Sequence, residues 1–186
     1  MRLALLALGG AILVGLLTGG RPRHLAEVRF RWPLVGLAGV ALQLIPAAGT
    51  LGMFLLLGSF VLLGLAVAVN VRLPGFPVIM AGLALNFLVI AVNGGMPVTA
   101  HALAASGQQA TLKDLENGGA KHHLATGADD LVVLADSIPL GPPVSQAVSV
   151  GDILAYSGAA WFIVRGMHRR GGVGSAGDPQ IVESSP

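Results

Sequence analysis

Six polar side chains in a largely apolar chain have types and spacings that could do chemistry: Asn86, Asn93, Lys121, His122, Asp136 and Asp152. If folding brought them together, Lys121 and His122 could grip a phosphate or another anionic head group. Asp136 or Asp152 could then act as a base or a metal ligand. Short of chemistry, the same six could form a polar ligand-binding site. Each also has a plain structural use. Asn86 lies four residues after Gly82 and seven before Asn93, on one helical face, where a buried asparagine hydrogen-bonds across a helix interface. Ser149-x-x-Asp152 has capping-box spacing, with Asp in place of the usual Glu or Gln. Asp136 follows an apolar run, and a carboxylate there needs a partner, for which Lys121 or His122 are candidates.

Other chemistries find less support. His122 and His123 are neighbours, and on a helix they would point roughly 100° apart, so they cannot chelate together. A metal site would need His101, Asp129, Asp130 or Asp136 to fold in beside them. The chain has no cysteine, which excludes disulfides, zinc-thiolate and iron-sulfur centres and a thiol nucleophile. It has no G-x-S-x-G elbow, no P-loop and no dinucleotide-binding glycine motif after a strand. No catalytic residue, metal site or cofactor is assigned. The net charge of +2 comes from arginines at the ends of apolar runs rather than on an amphipathic face, which argues against nucleic acid as a partner.

The elements that must hold these residues are apolar helices. With 54% hydrophobic and 11% charged residues, the composition is that of an integral membrane protein. The fold class read from it is an all-α polytopic membrane bundle of five transmembrane helices, at about 3–18, 33–46, 51–70, 77–92 and 149–164. A partly helical cap, 93–148, lies between the fourth and fifth. Residues 1–170 form one membrane domain, and the Gly/Ser-rich 171–186 is a disordered cytoplasmic tail. No charge interrupts Trp32 to Val71, and Pro46 to Thr50 breaks that stretch into two helices.

Ala7, Ala11, Gly15 and Gly19 recur every four residues in the first helix. They form a small-residue ridge suited to close approach by another helix, in a membrane partner or a second copy. Arg21, Arg23, Arg29, Arg31, Arg72, Arg165, Arg169 and Arg170 fall on one side of a five-helix arrangement. The positive-inside rule makes that side cytoplasmic, with the N-terminus and the cap outside, in the cell membrane.

Within the cap, Thr99 and Thr111 offer helix starts, and Thr126 a third leading into Leu131–Ala135. The last piece is too short to span and reads as folded back over the bundle.

Asn93-Gly94-Gly95-Met96-Pro97-Val98, Lys121-His122, Leu134 and Asp136 with Ile138-Pro139, and Ser149-Val150-Gly151-Asp152-Ile153-Leu154 resemble a family of small bacterial membrane proteins of unknown function. The family is associated with actinobacteria and clostridia. The likeness runs from about Leu3 to Val164. Here the chain reads Leu134-Ala135-Asp136 where the family often has Leu-Gly-Asp, and carries His123 after the Lys-His pair. The resemblance implies five spans and an ordered outer segment, and no activity. The sequence therefore favours a non-catalytic scaffold or accessory module in the bilayer. A ligand-binding or transport component is the alternative, and an envelope enzyme acting on a lipid-linked substrate comes after it.

Overall fold

A computed structural model describes residues 2–47, 49–116 and 121–168; the tail at 171–186 lies outside them. The chain is mostly helical. In order run α1 (Arg2–Leu17), the short α2 (Pro22–Ala26), α3 (Pro33–Leu44), α4 (Gly49–Ala68) and α5 (Phe76–Asn93). After these come β1 (Met96–Val98), α6 (Ala100–Ala105), α7 (Gln109–Glu116), β2 (His122–Leu124), β3 (Ile138–Leu140), β4 (Gln146–Val148) and α8 (Val150–Met167). Two of the helices, α4 and α5, are long and apolar enough to cross a membrane. The long helices lie side by side in the order α3, α4, α5, α8, α1.

Glycine sets how closely they pack. A Cβ on Gly82 of α5 would lie 2.6 Å from the Ala155 nitrogen of α8, and one on Gly151 would lie 2.6 Å from Asn86 Cγ. Gly75 and Gly158 meet in the same way farther along the pair. Of the ridge on α1, Ala11 and Gly15 are buried, and Gly15 faces Met167 of α8.

Two poles result. At one lie the end of α3, the end of α5, the start of α8 and the start of α1, all beneath 93–148. Lys121 Nζ donates to the carbonyls of Gln43 (2.7 Å) and Ile45 (3.0 Å), and the Leu3 amide reaches Gln146 Oε1 at 3.5 Å. At the other pole the Arg21 amide donates to the Met167 carbonyl at 2.8 Å, and His24 Nδ1 approaches the same oxygen. There Asn70 clips both the amide and the carbonyl of Arg31 (2.8 and 2.7 Å).

The cap is partly helical, as expected, and also carries two small sheets, which the all-α expectation did not include. β1 pairs in parallel with β2, Met96 opposite His122, and β3 pairs antiparallel with β4, Ile138 opposite Val148. These strands are three residues long, too short to leave an alternating pattern in sequence. The helix expected after Thr126 is also absent. Leu131 is left-handed at φ 57°, and only a single 3-10 turn follows at Val132–Leu134. The Thr126 and Asp129 side chains close a local turn instead. α7 starts at Gln109, two residues ahead of Thr111.

The cap is packed rather than draped. Met96 and Ala135 bury against Leu56, Val89 and Ile90 of α4 and α5. Val98, Ala102, Leu103 and Ala147 form a second small core, with Leu112, Leu115 and Leu124 against it.

Candidate functional site

β2 decides what the histidine pair can do. Successive side chains on a strand point to opposite faces, so His122 and His123 part company. His123 Nε2 lies 2.8 Å from Asp129 Oδ1, and Asp129 Oδ2 also accepts from the Thr126 amide (2.7 Å) and hydroxyl (2.9 Å). The bond from His123, and after it the Thr126 amide, hold the Asp129 carboxyl below the usual range. This pair closes the cap's surface loop.

His122 points the other way, its Nε2 3.8 Å from Asp136 Oδ2. Asp136 is fixed by its backbone. Its amide donates to the Pro97 carbonyl at 3.1 Å, and its own carbonyl accepts from the Thr99 amide at 3.2 Å, which lays it along β1. The residue is 7% exposed, and Oδ1 is buried without a hydrogen-bond partner. Burial, with the negative charge of Asp152 adding to it, pushes this carboxyl up to about 8. A neutral acid at pH 7 is the physical response of a carboxylate that water cannot reach. His122 is half-exposed, yet the protein around its ring holds its pKa below the ordinary 6.5, against the opposing charge of Asp152.

Both side chains line a cavity of about 630 Å³ under the cap, walled by α6, α7 and β4 and reached by Arg2 of α1. Val98, Leu103, Ala110, Leu115 and Ala147 supply apolar wall, and Gln108, Thr111, Ser145 and Gln146 polar wall. Gln108 is anchored, its Oε1 accepting from the Ala147 amide at 2.6 Å and the Ser106 hydroxyl at 3.2 Å. A second hollow of about 530 Å³, lined by Gln43–Ala47 and Lys121, shares Leu115 and His122 with the first.

The six residues singled out by sequence thus divide. His122 and Asp136 meet on the cavity. Asn86 and Asp152 meet at the start of α8, where Asn86 Nδ2 donates to Asp152 Oδ1 and Ser149 Oγ donates to Asn86 Oδ1, each at 2.8 Å. A capping box formed by Ser149 and Asp152 completes that cluster. Asn93 Nδ2 donates to the carbonyls of Val89 and Asp130, and its Oδ1 accepts from the Asp130 amide, so it ties the loop to α5. Lys121 is not the partner of Asp136, because its ammonium sits on the last carbonyls of α3, where the helix dipole favours a cation. Arg2, Gln108 and Gln146 are polar wall residues that sequence reasoning passed over as site residues; they come from α1, the turn before α7 and β4, and no local spacing marks them. Among the described residues no three His, Asp or Glu side chains gather as a metal site would need.

Such an arrangement can bind, and can hold or release one proton at Asp136. Among the described residues, neither wall hydroxyl, Thr111 or Ser145, is hydrogen-bonded to His122 or Asp136. No solved structure matches the chain. It is 32% identical over 158 residues to an uncharacterized protein of Thermotoga maritima, an alignment covering 83% of this chain and 86% of that one. Residues 27–164, cap and cavity lining included apart from Arg2, match a family described only as of unknown function. The chain belongs to that family, DUF5317.

Proposed function

We propose that the chain is a multi-pass protein of the cell membrane with five crossings, α1, α3, α4, α5 and α8, acting as a non-catalytic scaffold or accessory module. In this reading the N-terminus and the cap lie outside and the C-terminus in the cytoplasm. The observation that carries it is the apolar surface of those helices. Leu5, Leu13 and Leu17 of α1, Leu34 and Leu37 of α3, Phe54 of α4 and Trp161 of α8 are each more than half exposed. A soluble monomer seldom exposes large side chains over contiguous helix faces, and a soluble core helix would be mostly buried, whereas only 28% of α4 and of α5 is. α3 is 12 residues, about 18 Å, and α1 is 16, about 24 Å. Both fall short of a core of about 30 Å, a mismatch that local thinning of the bilayer at these helices accommodates.

The two poles support the orientation. Arg21, Arg23, Arg29, Arg31, Arg72 and Arg165 lie away from the cap, and Arg2, Lys113 and Lys121 on its side. The test uses the absence of native cysteine. Ala128→Cys, in the exposed loop of the cap, is expected to react with an impermeant maleimide in intact cells. Ser175→Cys is expected to react only after permeabilisation, and the reverse labelling overturns the topology. A second reading, ligand binding at the cap, is favoured by one feature: the buried carboxyl of Asp136 beside a cavity.

A further inference from the structure

We propose that the cavity beneath the cap binds a small organic ammonium ion, its charged head against Asp136 and His122 and its apolar part against Val98, Ala110 and Leu115. The proposal rests on the ligand-binding reading of the cap just given and names the class of ligand.

Two independent observations meet at this place. The first is a carboxyl side chain that is about nine-tenths buried, with an oxygen no protein group satisfies. A buried acceptor left unmade is costly; Oδ1 itself is closed off, so a cation would meet the carboxyl at Oδ2, the oxygen beside His122. The second is the cavity itself, which that carboxyl lines together with a half-exposed histidine. Lys121, the cation nearest in sequence to His122, is committed to the carbonyls of α3.

The walls select the kind of cation. A bare metal ion needs several oxygens converging at about 2–2.6 Å. Here the described residues bring one carboxylate and one imidazole, with Gln108 Oε1 already bonded to Ala147 and Ser106. A space of about 630 Å³ with five apolar lining residues is also far too large for a desolvated ion. It suits an alkylamine, whose N–H groups can donate to Asp136 and to the His122 ring nitrogen while its carbons meet Val98, Ala110 and Leu115. Arg2 on the wall supplies the competing outcomes. It could swing in to pair with Asp136, or the cavity could prefer an anion held by Arg2.

The experiment uses the full chain in nanodiscs at pH 8.5, where the Asp136 carboxyl is ionised and an alkylamine is still protonated, with butylammonium as probe and butanoate and butanol as controls of the same size. Thermal unfolding and calorimetric titration are read together. Butylammonium is expected to give a saturable upward shift, and the two controls none. Asp136→Asn, which keeps the shape of the side chain, is expected to weaken binding about tenfold or more. Ala110→Trp, at an exposed wall position that leaves Asp136 untouched, is expected to do the same by filling the space.

Three results overturn the proposal. One is no saturable response to butylammonium up to about 100 mM in folded wild type. Another is an equal response in Asp136→Asn. The third is preferential binding of butanoate that Arg2→Gln abolishes, which would make this an anion site. Both faces of a nanodisc meet solvent, so this binding test is indifferent to topology. A wrong topology fails the maleimide experiment, and a wrong ligand class fails this one.

Discussion

Asp136 governs what the cap does with pH. Unfolded, it titrates near 3.8, and folded it keeps its proton to about 8. Between those values the folded state binds more protons than the unfolded one. Stability therefore falls as pH rises, by at most about 1.4 kcal/mol per unit. His122 runs the other way: its folded pKa is lowered, so its contribution is lost as pH drops below 6.5. From pH 6.5 to 8 His168, raised by its bonds to the Val164 and Thr18 carbonyls, titrates as well, so the carboxyl is isolated by the difference between wild type and Asp136→Asn. Wild type in detergent micelles is expected to lose more thermal stability across that window than Asp136→Asn. Parallel slopes in the two proteins would mean that the carboxyl is solvated. Sequence exposed the residue types of this site and two candidate partners for Asp136, Lys121 and His122, but not which of the two it meets. His122 and Asp136 are 14 positions apart and meet only because β2 and the Asp136 strand flank β1 on either side. Lys121 and His122 stand side by side in sequence, and only the fold separates them, sending the Lys121 ammonium to the carbonyls of α3 and the His122 ring to Asp136.

The seam between α5 and α8 has the tightest geometry among the helices. Gly75 and Gly82 are seven residues apart, as are Gly151 and Gly158, and the two pairs face each other in antiparallel order. Ala155 and Phe162 put backbone atoms, not flexible side-chain ends, where the added methyls would fall. Gly82→Ala is therefore expected to destabilise the protein by about 2 kcal/mol or more, since overpacking costs on that order. Gly64→Ala on α4, which has no atom within 4 Å of its added methyl, is expected to be neutral or slightly stabilising. The comparison is read as denaturation midpoints in one detergent, and equal effects at the two sites would refute the close seam. The helices themselves were legible, because long apolar runs bounded by Pro, Gly and Arg leave few other options in 40 uncharged residues. The cap was less so. Its helix at Thr99 has a local cap, the Thr99 hydroxyl accepting from the Ala102 amide at 3.2 Å, and such spacing is visible in sequence. Its strands are held by partners 26 and about 8 residues away, and Leu131 leaves the helical region where the apolar run suggested a helix.

At the scale of the whole molecule, the question is what covers the apolar helix faces. Apart from Ser59 in the middle of α4, whose hydroxyl donates to the Leu56 carbonyl, the buried polar side chains among the described residues lie toward the two poles, and between them the surface is apolar, which is the pattern a bilayer selects. The chain has two tryptophans, both about half exposed, and they sample different places. Trp32 immediately precedes α3, while Trp161 sits within α8, six residues or about 9 Å before its end at Met167. Trp32→Phe leaves Trp161 as the single indole. In vesicles its fluorescence is expected to be quenched by lipids brominated on the acyl chain and to be insensitive to iodide in the buffer. Trp161→Phe, reporting Trp32, is expected to show weaker acyl-chain quenching, because an indole at a helix start sits nearer the head groups. Iodide quenching of Trp161 without bromolipid quenching would place α8 in water, and the apolar faces would then have to be covered by protein. Strong bromolipid quenching of Trp161 would mean that lipid covers α8 itself, the helix that carries the capping box at one pole and Arg165 at the other.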